Sequence, residues 1–126
     1  DIIVVAPCCH KQVRPQLNAY DKDHSYAAVL RHGIYRERLA ETVTDSLRAL
    51  LLEHAGYKVQ VFEFIGGEHT SKNVMITAVR HERRNEKLEQ IQKLAGLHGI
   101  RSHRLAQWMD IPLAAKVLSA KTMPQR

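Results

Sequence analysis

Residues 57–79 read YKVQVFEFIGGEHTSKNVMITAV, and this stretch decides the fold class. Its two flanks, 57–65 and 73–79, are rich in Val, Ile, Phe and Thr, residues that fit a pleated surface. Between them GGEHTSK is polar and opens on two glycines, so the flanks are expected to pair as an antiparallel hairpin. Upstream, Leu39, Val43, Leu47, Leu50 and Leu51 recur at helical spacing, which predicts an amphipathic helix over 34–55 with Gly56 as its stop. Further upstream, DIIVVA (1–6) is a short apolar run ended by Pro7. It reads as a buried strand of a parallel sheet with both faces covered. A mature chain rarely opens inside such a strand, so further sequence is expected before it. The order is therefore strand, crossover helix, strand and hairpin partner, with the crossover expected to be parallel and right-handed.

The rest of the chain is less regular. Residues 7–25 hold Pro7, Pro15, Asn18, Asp21 and Asp23 and read as a long loop. Ser25 is placed to cap a short helix, SYAAVLRHG, with Gly33 as its stop. Beyond Arg80 the pattern is helical. Leu88, Ile91, Leu94 and Ala95 mark one helix ending between Gly96 and Gly99, while Leu105, Trp108 and Met109 mark a second. Pro112 after Asp110 suggests the start of a third, with Leu113, Val117 and Leu118. The domain reading is an α/β unit over 1–81 followed by a basic helical appendage over 82–126.

With 44% hydrophobic and 25% charged residues, the composition is that of an ordinary soluble globular domain. No apolar run is long enough to cross a bilayer, so no membrane association is expected. Cys8 and Cys9 are adjacent and do not suit a normal disulfide, which excludes a disulfide scaffold and makes a reducing cytoplasm the default. The net charge of +6 is unevenly placed: residues 1–79 balance nine basic against nine acidic side chains, and residues 80–126 set ten against four. A basic C-terminal third suggests a polyanion such as RNA, with a merely solvated face as the plain alternative. Arg80, Arg83, Arg84, Lys87, Arg101 and Arg104 are the candidate nucleic-acid contacts.

The segment DIIVVAPCCHKQVRPQL resembles a class I S-adenosylmethionine-dependent methyltransferase family in which a strand runs into a Cys-Cys-His or Cys-Cys-Tyr turn. HGIYRERLAETVTDSLRALLLE and GYKVQVFEFIGGEHTSKNVMITAVR resemble segments of its bacterial branch, and the likeness covers about residues 1–81. It implies the C-terminal half of a Rossmann-like sheet, in which the seventh strand inserts antiparallel between the fifth and sixth. Residues 1–6, 57–65 and 73–79 would then be the fifth, sixth and seventh strands. The glycine-rich turn and the acidic ribose-binding residue of that family have no counterpart here. The parent protein would bind S-adenosylmethionine, and this chain alone would be neither a cofactor binder nor a catalyst.

The resemblance implies an acceptor pocket at Cys8, Cys9 and His10, with His10 positioning or deprotonating the nucleophile. The alternatives are a turn whose thiols simply pack, a catalytic Cys9 thiolate, and a zinc site with His69; the absence of a CxxC pair speaks against the last. Lys11 adjoins the same turn as a substrate-binding candidate. Glu68, His69, Thr70, Lys72 and Asn73 would lie on the active-site rim, or form a solvated turn. Arg36, near a helix start, would contact a phosphate or only solvent. A reading of another class is a non-enzymatic nucleic-acid-binding module, in which HRLAQWMDIPLAAKVLSAK loosely suggests a helix-turn-helix. Removing half of a parallel sheet would also uncover an edge and apolar faces, which implies self-association.

Overall fold

The computed structural model describes residues 1–7, 11–19, 26–64, 74–81 and 86–114. Three strands, β1 (Ile2–Val5), β2 (Tyr57–Glu63) and β3 (Val74–Arg80), form one sheet in the order β1-β3-β2. β3 pairs antiparallel with both neighbours, matching Ile2 to Val79 on one side and Tyr57 to Arg80 on the other. The expected hairpin of β2 and β3 is therefore present. β1 and β2, each antiparallel to β3, run parallel to one another with β3 between them.

The reading of β1 as a strand with both faces covered is overturned, although β1 does run parallel to β2 as expected. Its only strand partner among the described residues is the antiparallel β3, and its other edge is unpaired. Residues opposite one another in register share a face, so Ile2, Val4, Val79 and Phe62 lie together. That face is open, with Ile2 73% and Val4 60% exposed. The apolar run is there, but nothing described covers it on that side.

The other face carries the fully buried Ile76 and Ala78, and α2 (Gly33–His54) packs on this sheet. Ala40, Val43, Thr44, Leu47, Leu51 and His54 form the buried stripe of α2, with Leu39 and Leu50 partly buried beside it. Gly33 does not stop the preceding helix. α1 is only Ala27–Leu30, and Gly33 is the first residue of α2. Ser25, the expected cap, lies outside the described residues. Gly56 does end α2 as expected, at φ 102°, a backbone that side chains rarely tolerate.

Residues 11–19 are not the plain loop expected. A 3-10 helix spans Arg14–Ala19, and Val13 and Leu17 are fully buried in the core. α3 (Leu88–Leu97) and α4 (Arg104–Trp108) add Ile91, Ala95 and Ala106 to the same cluster, joined by Ile100 and Leu113. One core therefore draws on residues from both sides of position 82. The His54 Nδ1 accepts a 3.2 Å bond from the Lys87 backbone N–H and ties the start of α3 to the end of α2. The third helix does not begin at Pro112. Residues 111–114 are non-helical after a turn with Asp110 at φ 57°, and 115–118 lie outside the described residues.

Candidate functional site

The site is assembled on a polar clamp. Gln12 and Gln16, four residues apart, face the segment Arg101–Arg104 that leads into α4. The Gln16 Oε1 accepts from the backbone N–H groups of Arg101 (2.5 Å) and Ser102 (2.9 Å). Its Nε2 donates to the carbonyls of Ser102 (2.8 Å) and Gln12 (2.7 Å). The Gln12 Oε1 accepts from the Arg104 backbone N–H at 2.6 Å. These bonds satisfy donors that would otherwise be orphaned before α4, and they fix where His103 and Arg104 emerge.

Beside this clamp lies a cleft of about 980 Å³. One wall is the carboxyl half of β1 and its continuation: Ile3, Val5, Ala6 and Pro7. The second is the middle of α2, with Thr44, Arg48 and Leu52. The third is His103, Arg104, Leu105 and Trp108; Lys11, Gln12, Val13 and Ile76 complete the lining. No carboxylate is among these residues, whereas Lys11, Arg48 and Arg104 bring cationic groups. Arg48 is held by Asp45 at 2.7 Å. Arg104 and Lys11 are exposed, and Trp108 is 83% exposed at the lip.

His103 is the most constrained polar group of the cleft. It is 3% exposed, and its Nε2 lies 3.3 Å from the Thr44 carbonyl oxygen. A carbonyl only accepts, so Nε2 carries the proton and Nδ1 of the neutral ring is an acceptor. That Nδ1 is buried and has no hydrogen-bond partner among the described residues. Burial is the main cause holding the imidazole below its usual range; the Thr44 carbonyl opposes this, and the nearby Arg48 charge adds to it.

The sequence-derived candidates are distributed unevenly. Cys8, Cys9, His10, Glu68, His69, Thr70, Lys72, Asn73, Arg83 and Arg84 lie outside the described residues. The strands that bracket 8–10 and 65–73 do converge at one end of the sheet: Pro7 follows β1, and Val5 pairs with Ile76 near the start of β3, where Glu63 pairs with Val74. Lys11 and Arg104 meet in the cleft. Arg101 adjoins Gln16 in the clamp. Arg80 and Lys87 stand at the opposite end of the sheet. The Arg80 backbone N–H donates to the Asp1 carbonyl at 2.9 Å, its guanidinium lies over the Tyr57 ring at 5.4 Å, and Lys87 adjoins the end of α2. The described basic candidates thus do not form a single face. Arg36 is partly buried on the first turn of α2 and does not line the cleft.

Sequence reasoning missed His103, Trp108, Arg48 and the Gln12–Gln16 pair. The Gln-x-x-x-Gln spacing was the available signal, since positions i and i+4 share one side of a helical turn.

Neither of the two described glycines with positive φ fits a cofactor cradle. Gly56 and Gly99, the two with positive φ, follow the ends of α2 and α3 instead of opening a helix toward a ligand. Among the described residues no three His, Cys, Asp or Glu side chains cluster to hold a metal, and no helix is long and apolar enough to cross a membrane. No family model, curated protein or solved structure matches the chain.

Proposed function

We propose that this chain is the C-terminal, acceptor-side part of a class I S-adenosylmethionine-dependent methyltransferase, with RNA as its substrate. The observation that carries the reading is the strand order β1-β3-β2, with an antiparallel β3 between two mutually parallel strands. That is the arrangement expected of the fifth, seventh and sixth strands of such a sheet. A cleft at the carboxyl end of β1 adds support, because open α/β sheets bind ligands outside the carboxyl ends of their strands.

In this reading the cofactor is held by sequence outside the chain. The chain's own share is to bind and orient the acceptor. Lys11 stands at the cleft, next along the chain from Cys8, Cys9 and His10, and His10 is assigned the proton of the attacking group. Pairing β1 with a further strand along its free edge would also restore the sheet and cover exposed valine and isoleucine. A helix-turn-helix module is less well supported, since α4 has five residues and residues 111–114 after it are non-helical.

The test is the intact mass of the native protein, followed by calorimetric titration with S-adenosylmethionine. A mass above 14.4 kDa with saturable binding is expected. A native protein of 14.4 kDa, or a longer one that does not bind, overturns the reading.

A further inference from the structure

The cleft between β1 and α4 contains a buried acceptor that the described chain does not satisfy. His103 is buried, its Nε2–H is engaged by the Thr44 carbonyl, and its Nδ1 lone pair has no partner. Buried polar groups are nearly always paired; His103 lines the cleft, and its Nδ1 is closed to solvent in the free chain, so an outside donor reaches it only when the lining shifts on binding. The surroundings narrow what that donor belongs to. Ile3, Val5 and Leu105 make an apolar wall suited to a flat ring. Trp108 presents a large aromatic surface at the lip, open to a stacking partner. Lys11 and Arg104 stand at the same cleft with no lining carboxylate opposing them.

We propose that this cleft binds a nucleotide, free or within single-stranded RNA. A ribose hydroxyl or base amine donates to the His103 Nδ1, the base stacks on Trp108, and the phosphate is held by Lys11 and Arg104. An apolar helix or strand laid in the cleft would bury Nδ1 still unsatisfied and strand two cations. A neutral sugar would leave the cations without a counter-charge. The proposal deepens the methyltransferase reading, whose acceptor would be seated in this same cleft; its test uses no S-adenosylmethionine, so either can fail alone.

Trp108 is the sole tryptophan, so its fluorescence reports on this cleft directly. The full chain is titrated with adenosine monophosphate, with adenosine, and with a short single-stranded oligoadenylate. Saturable quenching by the monophosphate is expected, weaker for adenosine and reduced by added salt. Tighter binding of the oligomer identifies RNA as the source; equal binding identifies the free nucleotide. His103→Gln keeps an amide N–H for Thr44 but replaces the fixed ring Nδ1 with an amide oxygen on a flexible arm, and is expected to weaken binding on the order of tenfold. Arg104→Glu, at an exposed position, is expected to do the same by reversing the charge, and carries the test if His103→Gln does not fold. Absence of saturation by either phosphorylated ligand, or wild-type affinity in the folded variants, overturns the proposal.

Discussion

The Nε2 of His103 lies 3.3 Å from the carbonyl oxygen of Thr44, which joins the residue before α4 to the middle of α2. The bond has a consequence for acid stability, because the ring is buried neutral. Its folded pKa lies below the ordinary 6.5, chiefly through burial, while the unfolded chain keeps the ordinary value. As the pH falls, the unfolded chain takes the proton first. The contribution of neutral His103 is therefore fully present above 6.5 and is lost as the pH falls through the folded value. One proton limits the slope to about 1.4 kcal/mol per pH unit. Urea midpoints compared above and below pH 6.5 should differ less in His103→Gln than in the wild type. An unchanged difference would show that His103 does not titrate with folding.

Gln16 sets the path of the segment that delivers His103. Its side chain makes four bonds to backbone groups of Gln12, Arg101 and Ser102. Gln16→Ala removes all four and leaves partly buried backbone groups without these partners, at a cost of about 1–3 kcal/mol. Gln16→Glu retains acceptors for Arg101 and Ser102 but loses both donations, so it should fall between. Denaturant unfolding of the three proteins checks the order, and equal stability of Gln16→Ala and wild type would remove the clamp from the account.

Local rules reached the helices, the strands and the β2–β3 hairpin, but not the packing between elements distant in the chain. α2, β2 and β3 were legible because apolar spacing and Gly56 each pointed to one state. The place of β1 was legible only through the resemblance, which implied an antiparallel strand beside it; its apolar run taken alone suits a covered parallel strand equally well, whereas Ala78 and Ile76 stand opposite it in an antiparallel ladder. Val13 and Leu17 looked like loop residues because Pro15 and Asn18 surround them, yet their burial is decided by α2 and by Ile100 in the shared core. The cleft was illegible for the same reason. Lys11, Thr44 and His103 are far apart in sequence, and the Gln12–Gln16 spacing, though visible, does not say that the segment it holds is Arg101–Arg104.

Gly56 offers a test of the turn that leads into β2. At φ 102° its backbone is one that only glycine adopts without strain, and its carbonyl accepts the His81 backbone N–H at 2.8 Å. Gly56→Ala should destabilise the chain by about 1–3 kcal/mol while leaving its content of helix and strand unchanged. Thermal unfolding followed by circular dichroism measures both. An alanine variant as stable as the wild type would mean that the turn relaxes without strain.

Val4 tests the open side of the sheet. It is 60% exposed on the face it shares with Ile2 and Val79, next to an unpaired strand edge. Such an edge is a template for pairing with another chain, and charge at the edge suppresses this. The isolated chain should therefore associate with itself as its concentration rises, and Val4→Lys should shift it toward monomer. Because the side chain is already in solvent, the substitution should move folding stability by no more than about 0.5 kcal/mol. Sedimentation velocity over a wide concentration range reads the association, and urea unfolding reads the stability. A wild-type chain that stays monomeric throughout would show that the exposed valines and isoleucine of β1 do not draw copies together. Association unchanged by Val4→Lys would place the contact elsewhere on the molecule.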